Sequence, residues 1–252
     1  MNVTTGTDSF TINIERTVSD EYFSFTTSDA EYNIMCKIKN MPNSAYLRGN
    51  ADFALGIVTG NNKEYISDIK NENNEMILKG ADIRKYHTTR TNNYIVFKPE
   101  NFQQVAPTEM YRSPEKLLYR FISSQLVFAY DDKQTLSLNS CNIVIPRIPG
   151  TKIKYVLAIL NSRIAQFIYK KEFNSVKVLR SHIENIPIPT ADASTQAEII
   201  ALTDKLISGL QADEAEKVYD ELDLLVSKAF HLDSNEIEII NKAVEGDNKF
   251  LA

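Results

Sequence analysis

Glycine is scarce in this 252-residue chain: 8 residues, about 3% against a usual ~7%. No two glycines are one residue apart, so no G-x-G exists. That removes the dinucleotide-binding fingerprint, and no G-x-x-x-x-G-K-[ST] supplies a phosphate loop. The two cysteines, Cys36 and Cys141, cannot build a disulfide framework or a four-ligand zinc site. Three scattered histidines, His87, His182 and His231, do not complete one. No apolar run approaches the ~20 residues of a membrane helix. The N-terminus, MNVTTGTDSF, has neither a basic n-region nor an apolar h-region. The expected setting is therefore cytoplasmic, without a membrane partner.

Catalytic signatures are missing too. There is no Pro-Pro, hence no N-P-P-[YF] loop of the kind adenine-N6 methyltransferases use. No Pro-Asp occurs and no Glu has Lys two positions on, so the common magnesium-nuclease pattern is absent. Asp131-Asp132-Lys133 reads D-x-K but falls in an expected hairpin turn without a partner acid. A G-x-S-x-G elbow is also lacking. His87 with Asp82, or His182 with Glu184, could serve as base and orienter, but no nucleophile stands beside either pair. The reading is a chain with no catalytic residue, no metal site and no cofactor of its own.

What is present is an ordinary globular balance, 43% hydrophobic and 24% charged, long enough for one large domain or a main domain with an annex. The net charge of −5 hides an asymmetry. Residues 191–252 carry 14 acidic and 5 basic residues, whereas 147–190 carry 8 basic and 2 acidic. Such a split hints at a polyanion-facing side and a solvated acidic tail.

Residues 10–14 and 31–38 have strand content, and Phe53–Val58 runs apolar into the turn Thr59-Gly60-Asn61-Asn62. Glu64–Ile69 reads as the return strand of a hairpin. Tyr94–Phe97 is a short strand pattern. Lys116–Ile122 alternates, with Leu117, Tyr119 and Phe121 on one side and Leu118, Arg120 and Ile122 on the other. Gln125–Tyr130, Thr135–Asn139 and Asn142–Ile145 continue the strand pattern. From Lys152 the period turns helical through Ile153, Val156, Leu157, Leu160, Ile164 and Phe167, with an end near Lys171 and a break at Asn174-Ser175. Residues 175–190 read as extended, closing on Ile186-Pro187-Ile188-Pro189. Three capping boxes, Thr195/Glu198, Asp213/Glu216 and Asp233/Glu236, open three tail helices. The expected fold is α+β: a twisted, mostly antiparallel or mixed sheet with a packed central helix (1–190), then an acidic helical segment (191–252) packing on the domain or on a partner.

A series of motifs then appears in fixed order: Leu55-Gly56-Ile57-Val58-Thr59-Gly60-Asn61-Asn62, Gly80-Ala81-Asp82-Ile83-Arg84, Lys116 to Arg120, Leu126 to Asp131, Leu160-Asn161-Ser162, Ile186-Pro187-Ile188-Pro189, and Gln196 opening a helix. Over about residues 50–245 this order resembles the TaqI-like C-terminal specificity domain. That is the target recognition domain of type IIG restriction–modification enzymes and adenine-specific DNA methyltransferases, related to the repeats of type I specificity subunits. The resemblance implies a sequence-specific double-stranded DNA recognition module, an excised fragment or a truncated gene product. It would direct an adenine-N6 methyltransferase, and in some systems an endonuclease, to its site. S-adenosylmethionine would then belong to a separate catalytic domain, and the partners would be DNA and a methyltransferase domain or subunit. Two alternatives stay open: a single-repeat type I specificity subunit that dimerises through its C-terminal helices, and a protein-interaction or scaffold domain. An uncharacterised hydrolase ranks below both.

A recognition domain needs cations for phosphates and Arg, Lys, Asn or Gln for base edges. The candidates are Thr59, Asn61, Asn62 and Lys63 at the turn; Lys79, Arg84, Lys85 and Tyr86 in the following loop; Arg112 and Arg120 beside the strands; and Lys177 and Arg180 in the late extended run. The turn residues serve equally well as a plain turn. Lys170 and Lys171 fit the role of cations at a helix C-terminus.

Overall fold

The computed structural model describes residues 1–5, 8–13, 16, 26–173 and 175–246. A hairpin of β1 (Asn2–Thr5) and β2 (Asp8–Thr11) comes first. Ile14, at the end of the first expected strand, and the break at Asn174 lie outside the described residues. Helix α1 (Asp29–Lys39) follows, where a strand was expected over 31–38. Ser28 and Glu31 form a reciprocal capping box there, and Ile34 and Ile38, four apart, are the buried positions. Cap and helical spacing together outweigh the β-favouring content of Tyr32, Ile34 and Cys36.

The scaffold is an antiparallel sheet in the order β4 (Ala51–Ala54), β11 (Cys141–Pro146), β8 (Lys116–Arg120), β9 (Phe128–Asp131). A second sheet runs β10 (Leu136–Ser137), β6 (Glu75–Leu78), β7 (Tyr94–Ile95), β5 (Ile66–Ser67), with β10 and β6 parallel. Strands β3 (Ser44–Ala45) and β12 (Ile188–Pro189) pair separately.

The hairpin expected over 53–69 does not form. Phe53 pairs with Val144 of β11, Val58 bridges to Gln104, residues Asn62–Tyr65 make a helical turn (α2), and β5 pairs with β7. Gly56 explains the departure. A Cβ there would lie 2.1 Å from the Leu138 carbonyl oxygen, so the chain is pressed against the turn between β10 and β11 rather than folding back on itself.

The alternation read in 116–122 holds over β8, which ends at Arg120. Leu117 and Tyr119 join the apolar cluster on the helical side of the sheet, and Leu118 joins the cluster shared with the second sheet. After a helical turn at Thr108–Tyr111 (α3), the helices begin in earnest with α4 (Ile153–Asn161) and α5 (Arg163–Glu172). One continuous helix was expected from 152 to 171. Ser162 breaks it: its backbone is extended and its hydroxyl accepts the Ala165 N–H as the cap of α5. The short α6 (Arg180–Glu184) interrupts the stretch expected to be extended.

The tail forms α7 (Ala193–Ile207), α8 (Ala212–Ala229) and α9 (Ser234–Ala243). The Asp233/Glu236 box caps α9 as read, but Asp192 caps α7 and Gln211 precedes α8, so the other two boxes lie inside their helices. Leu202, Leu206, Tyr219, Leu222 and Val226 share one core with α4. The motifs hold these pieces together. Gln196 accepts the Lys152 N–H and donates to the Gly150 and Ala191 carbonyls. The Tyr155 hydroxyl donates to the Pro189 carbonyl.

Asn161, the end of α4, binds strand β9 with its side chain. Its Oδ1 accepts the Phe128 N–H at 3.0 Å and its Nδ2 donates to the Phe128 carbonyl at 2.9 Å. Asn161→Leu leaves the buried Phe128 N–H unpaired, at about 1–3 kcal/mol, while the Phe128 carbonyl keeps the Tyr86 N–H. Chemical denaturation should show a loss of about 1–3 kcal/mol; a variant as stable as the wild type would deny the pairing its structural role.

Candidate nucleic-acid interface

The loop from Gly80 to Tyr86 leaves the second sheet and crosses to the first. The Asp82 carboxylate accepts the Lys79 N–H, and the Ser140 hydroxyl accepts the Gly80 N–H. A Cβ at Gly80 would meet the Ser140 carbonyl oxygen at 2.5 Å, so glycine permits the approach. At Tyr86 the backbone turns through φ +74° and joins β9, its N–H donating to the Phe128 carbonyl. Just before this reversal, Arg84 is half-buried and Lys85 is buried.

Arg84 and Arg120 meet on one oxygen. Arg120 Nε and Nη2 donate to the Ile83 carbonyl at 2.9 and 2.6 Å, and Arg84 Nη1 donates to the same oxygen at 3.1 Å. Burial and the adjacent Arg84 charge both push the Arg120 guanidinium below its ordinary pKa. Two cations held together on a neutral carbonyl repel, and an anion or a base edge rich in acceptors relieves that repulsion. The exposed Lys177 stands next to them, because Ile122, two residues beyond Arg120, forms an antiparallel bridge with Lys177. Lys79 lies at the start of the same loop, its ammonium on Asn93 Oδ1 at 2.6 Å. Among the described residues, Lys79, Arg84 and Lys177 make no ion pair.

The other candidates do not join this group. Lys85 and Tyr86, read as DNA-binding candidates, are buried. Lys85 Nζ donates to the Asn161 carbonyl at 3.1 Å and to the Tyr219 hydroxyl at 3.3 Å, and Tyr86 packs edge-on against Tyr219. Arg112 grips Glu75 with both terminal nitrogens, at 2.6 and 2.7 Å. Arg180 pairs with Glu184 at 2.8 Å and lies over the Phe53 ring, on the helical side of the sheet, whereas Arg120 shares its strand face with Leu118 on the opposite side. In the turn, Thr59 is buried and donates to Asn62 Oδ1 at 2.6 Å, and Asn61 donates to Glu64. Asn61, Asn62 and Lys63 are exposed.

The basic excess of 147–190 is largely consumed inside the molecule. Arg147 pairs with Asp52, Lys154 with Asp204, Arg163 with Asp220 and Asp223, and Lys171 with Glu31. The tail carboxylates therefore meet cations of the body, among them Lys37 through Glu236. The D-x-K acid Asp131 is taken up by Lys116 at 2.5 Å and by Thr135. Among the described residues no cluster of His, Cys, Asp or Glu suits a metal ion, and no helix is long and apolar enough to cross a membrane. His182 Nδ1 accepts the Leu179 N–H and its ring stacks on Phe173, so it serves the loop rather than a base–orienter pair with Glu184.

The sequence reading assigned nothing to Ile122, which is 58% exposed beside Lys177. Its alternation with Leu118 was visible, but an apolar residue in a strand pattern reads as core.

Residues 75–188 match the family model of the TaqI-like C-terminal specificity domain, a shorter stretch than the resemblance read in the sequence. The span contains Arg84, Arg120, Ile122 and Lys177. Among solved structures the chain is similar to the type IIL restriction–modification enzyme MmeI in complex with DNA, at 11% identity and a TM-score of 0.51, covering 79% of this chain and 35% of that one. It is also similar to the type IIG restriction endonuclease BpuSI, at 13% identity and a TM-score of 0.53, covering 86% and 32%. These likenesses are of fold, and this chain spans about a third of either enzyme's length. No curated protein matches it in sequence.

The buried Lys85 gives a pH test. Burial lowers its pKa to about 8 from 10.5, against the opposing pull of Asp223. Above pH 8 the folded chain sheds this proton while the unfolded chain keeps it, so stability rises with pH from about 8. The gain ends near pH 10, where Tyr86 and Tyr219, pushed up by burial, begin to favour unfolding. Lys85→Met should flatten that rise in denaturation measured between pH 7.5 and 9.5; an identical rise in the variant would place its origin elsewhere.

Proposed function

We propose, from the premise that residues 75–188 form a TaqI-like C-terminal specificity domain, that this chain recognises a specific sequence of double-stranded DNA. It performs no chemistry itself and directs an adenine-N6 methyltransferase domain or subunit of a restriction–modification system to that sequence. The observation that carries the reading is the convergence of Arg84 and Arg120 on the Ile83 carbonyl with Lys177 beside them. Guanidinium pairs suit guanine edges and phosphates, and lysine suits phosphates.

The fold supports a division of labour. Residues 1–190 carry the recognition surface, and 191–252 support it. The acidic helices pair with Lys37, Lys154 and Arg163, so their charge is spent on the body of the domain and kept from the duplex. MmeI, solved with DNA, shares the fold, which agrees with a duplex as the partner.

Duplexes selected by the chain from a random pool should converge on one sequence. On that sequence the logarithm of affinity falls linearly with the logarithm of salt concentration, and Arg84→Ala and Lys177→Ala should each reduce the slope by about one. The exposed tail lysines Lys205 and Lys217 serve as controls, and their alanine variants should leave the slope unchanged. A pool that never converges, or slopes indifferent to Arg84 and Lys177, would refute the proposal.

A further inference from the structure

Ile122 is an aliphatic side chain out of place. Leu118, four residues earlier in β8, is fully buried, whereas Ile122 is 58% exposed. Cations lie near it: Arg120 precedes it by two residues, Lys177 opposes it across the bridge, and Arg84 shares the Ile83 carbonyl with Arg120. Directly opposed residues of antiparallel strands present their side chains to one side, so Ile122 and Lys177 share one front, with Arg120 two residues upstream at the end of β8. The ribbon carrying that front is pinned on both strands: Val178 N–H donates to the Phe121 carbonyl at 2.8 Å, and Ser123 N–H to the Val176 carbonyl at 3.0 Å.

An exposed apolar group with cations beside it calls for a polyanion that also offers an apolar contact. Duplex DNA offers one on its base edges, the C5-methyl of thymine in the major groove, and that groove admits a two-stranded β-ribbon. We propose that Ile122 is a specificity-determining residue that packs against a thymine methyl group of the recognised sequence. Arg84, Arg120 and Lys177 hold the flanking phosphates or base edges. The inference rests on the duplex reading above and adds to it one base and one residue.

The test uses the full chain and the duplex sequence recovered by selection. Each thymine is replaced in turn by deoxyuridine, which removes only the methyl group. One replacement should weaken wild-type binding by about fourfold, the value of one buried methyl. Ile122→Ser should bind the thymine and uracil duplexes equally, at the wild type's affinity for the uracil form, with an unchanged salt slope. Ile122→Val, which keeps an aliphatic group at the site, should retain the methyl sensitivity.

The inference fails, with recognition intact, if the recovered sequence has no thymine. It fails equally if wild type and Ile122→Ser lose the same affinity at every replacement, or if Ile122→Ser changes only self-association. A pool without convergence overturns both the inference and the reading beneath it.

Discussion

The structure turns on the four hydrogen bonds centred on Asn161. Its side chain closes on the Phe128 backbone, and its carbonyl accepts the Lys85 ammonium and the Tyr219 hydroxyl. Sheet, helix pair, recognition loop and tail helix α8 therefore meet at one residue. Each of these groups is buried, so each would be costly if left unmade. Lys85 is drawn inward to this point, its neighbour Arg84 stays half-exposed, and the left-handed backbone at Tyr86 brings the loop onto β9 just after them.

Charge is arranged by the same logic. The chain segregates acidic and basic residues along its sequence, and folding brings many of them together: Arg163 with Asp220 and Asp223, Lys154 with Asp204, Lys37 with Glu236. The cations that remain without carboxylate partners among the described residues include Lys79, Arg84 and Lys177, which come from separate stretches of chain. Like charges close together cost energy in the free protein, and a partner of opposite charge recovers that cost on binding. Net charge along the sequence is thus a poor guide here, and the pairing in space is the informative quantity.

Much of the scaffold was legible from pattern. The alternation of 116–122 placed Leu117 and Leu118 on opposite faces, and the helical period from Ile153 marked the central helices. Other signals were present but outweighed. Ser28-x-x-Glu31 announces α1, yet the β-favouring residues after it suggested a strand. Ser162, the cap that splits the central helix, sits inside an unbroken apolar period. The motifs Leu160-Asn161-Ser162, Ile188-Pro189 and Gln196 pointed to the family, and in the structure they are fastenings of the fold. The candidate site was only partly readable. Arg84, Arg120 and Lys177 were picked for charge and do come together, but nothing local distinguishes Arg84 from Lys85. That difference depends on Tyr219 and Asp223, far along the chain. Arg112 and Arg180 were equally good by sequence, and their carboxylates, Glu75 and Glu184, become neighbours through the fold and through helical spacing respectively.

The central claim is that one face, carrying the loop 81–84, the end of β8 with Ile122, and the segment 176–178, receives the duplex. Amide hydrogen exchange of the full chain, with and without the selected duplex, tests it most directly. The account predicts that DNA slows exchange in peptides covering 81–84, 119–123 and 176–178 and leaves the outer faces of α7, α8 and α9 unchanged. Protection confined to the tail helices, with those three segments exchanging as freely as before, would contradict it.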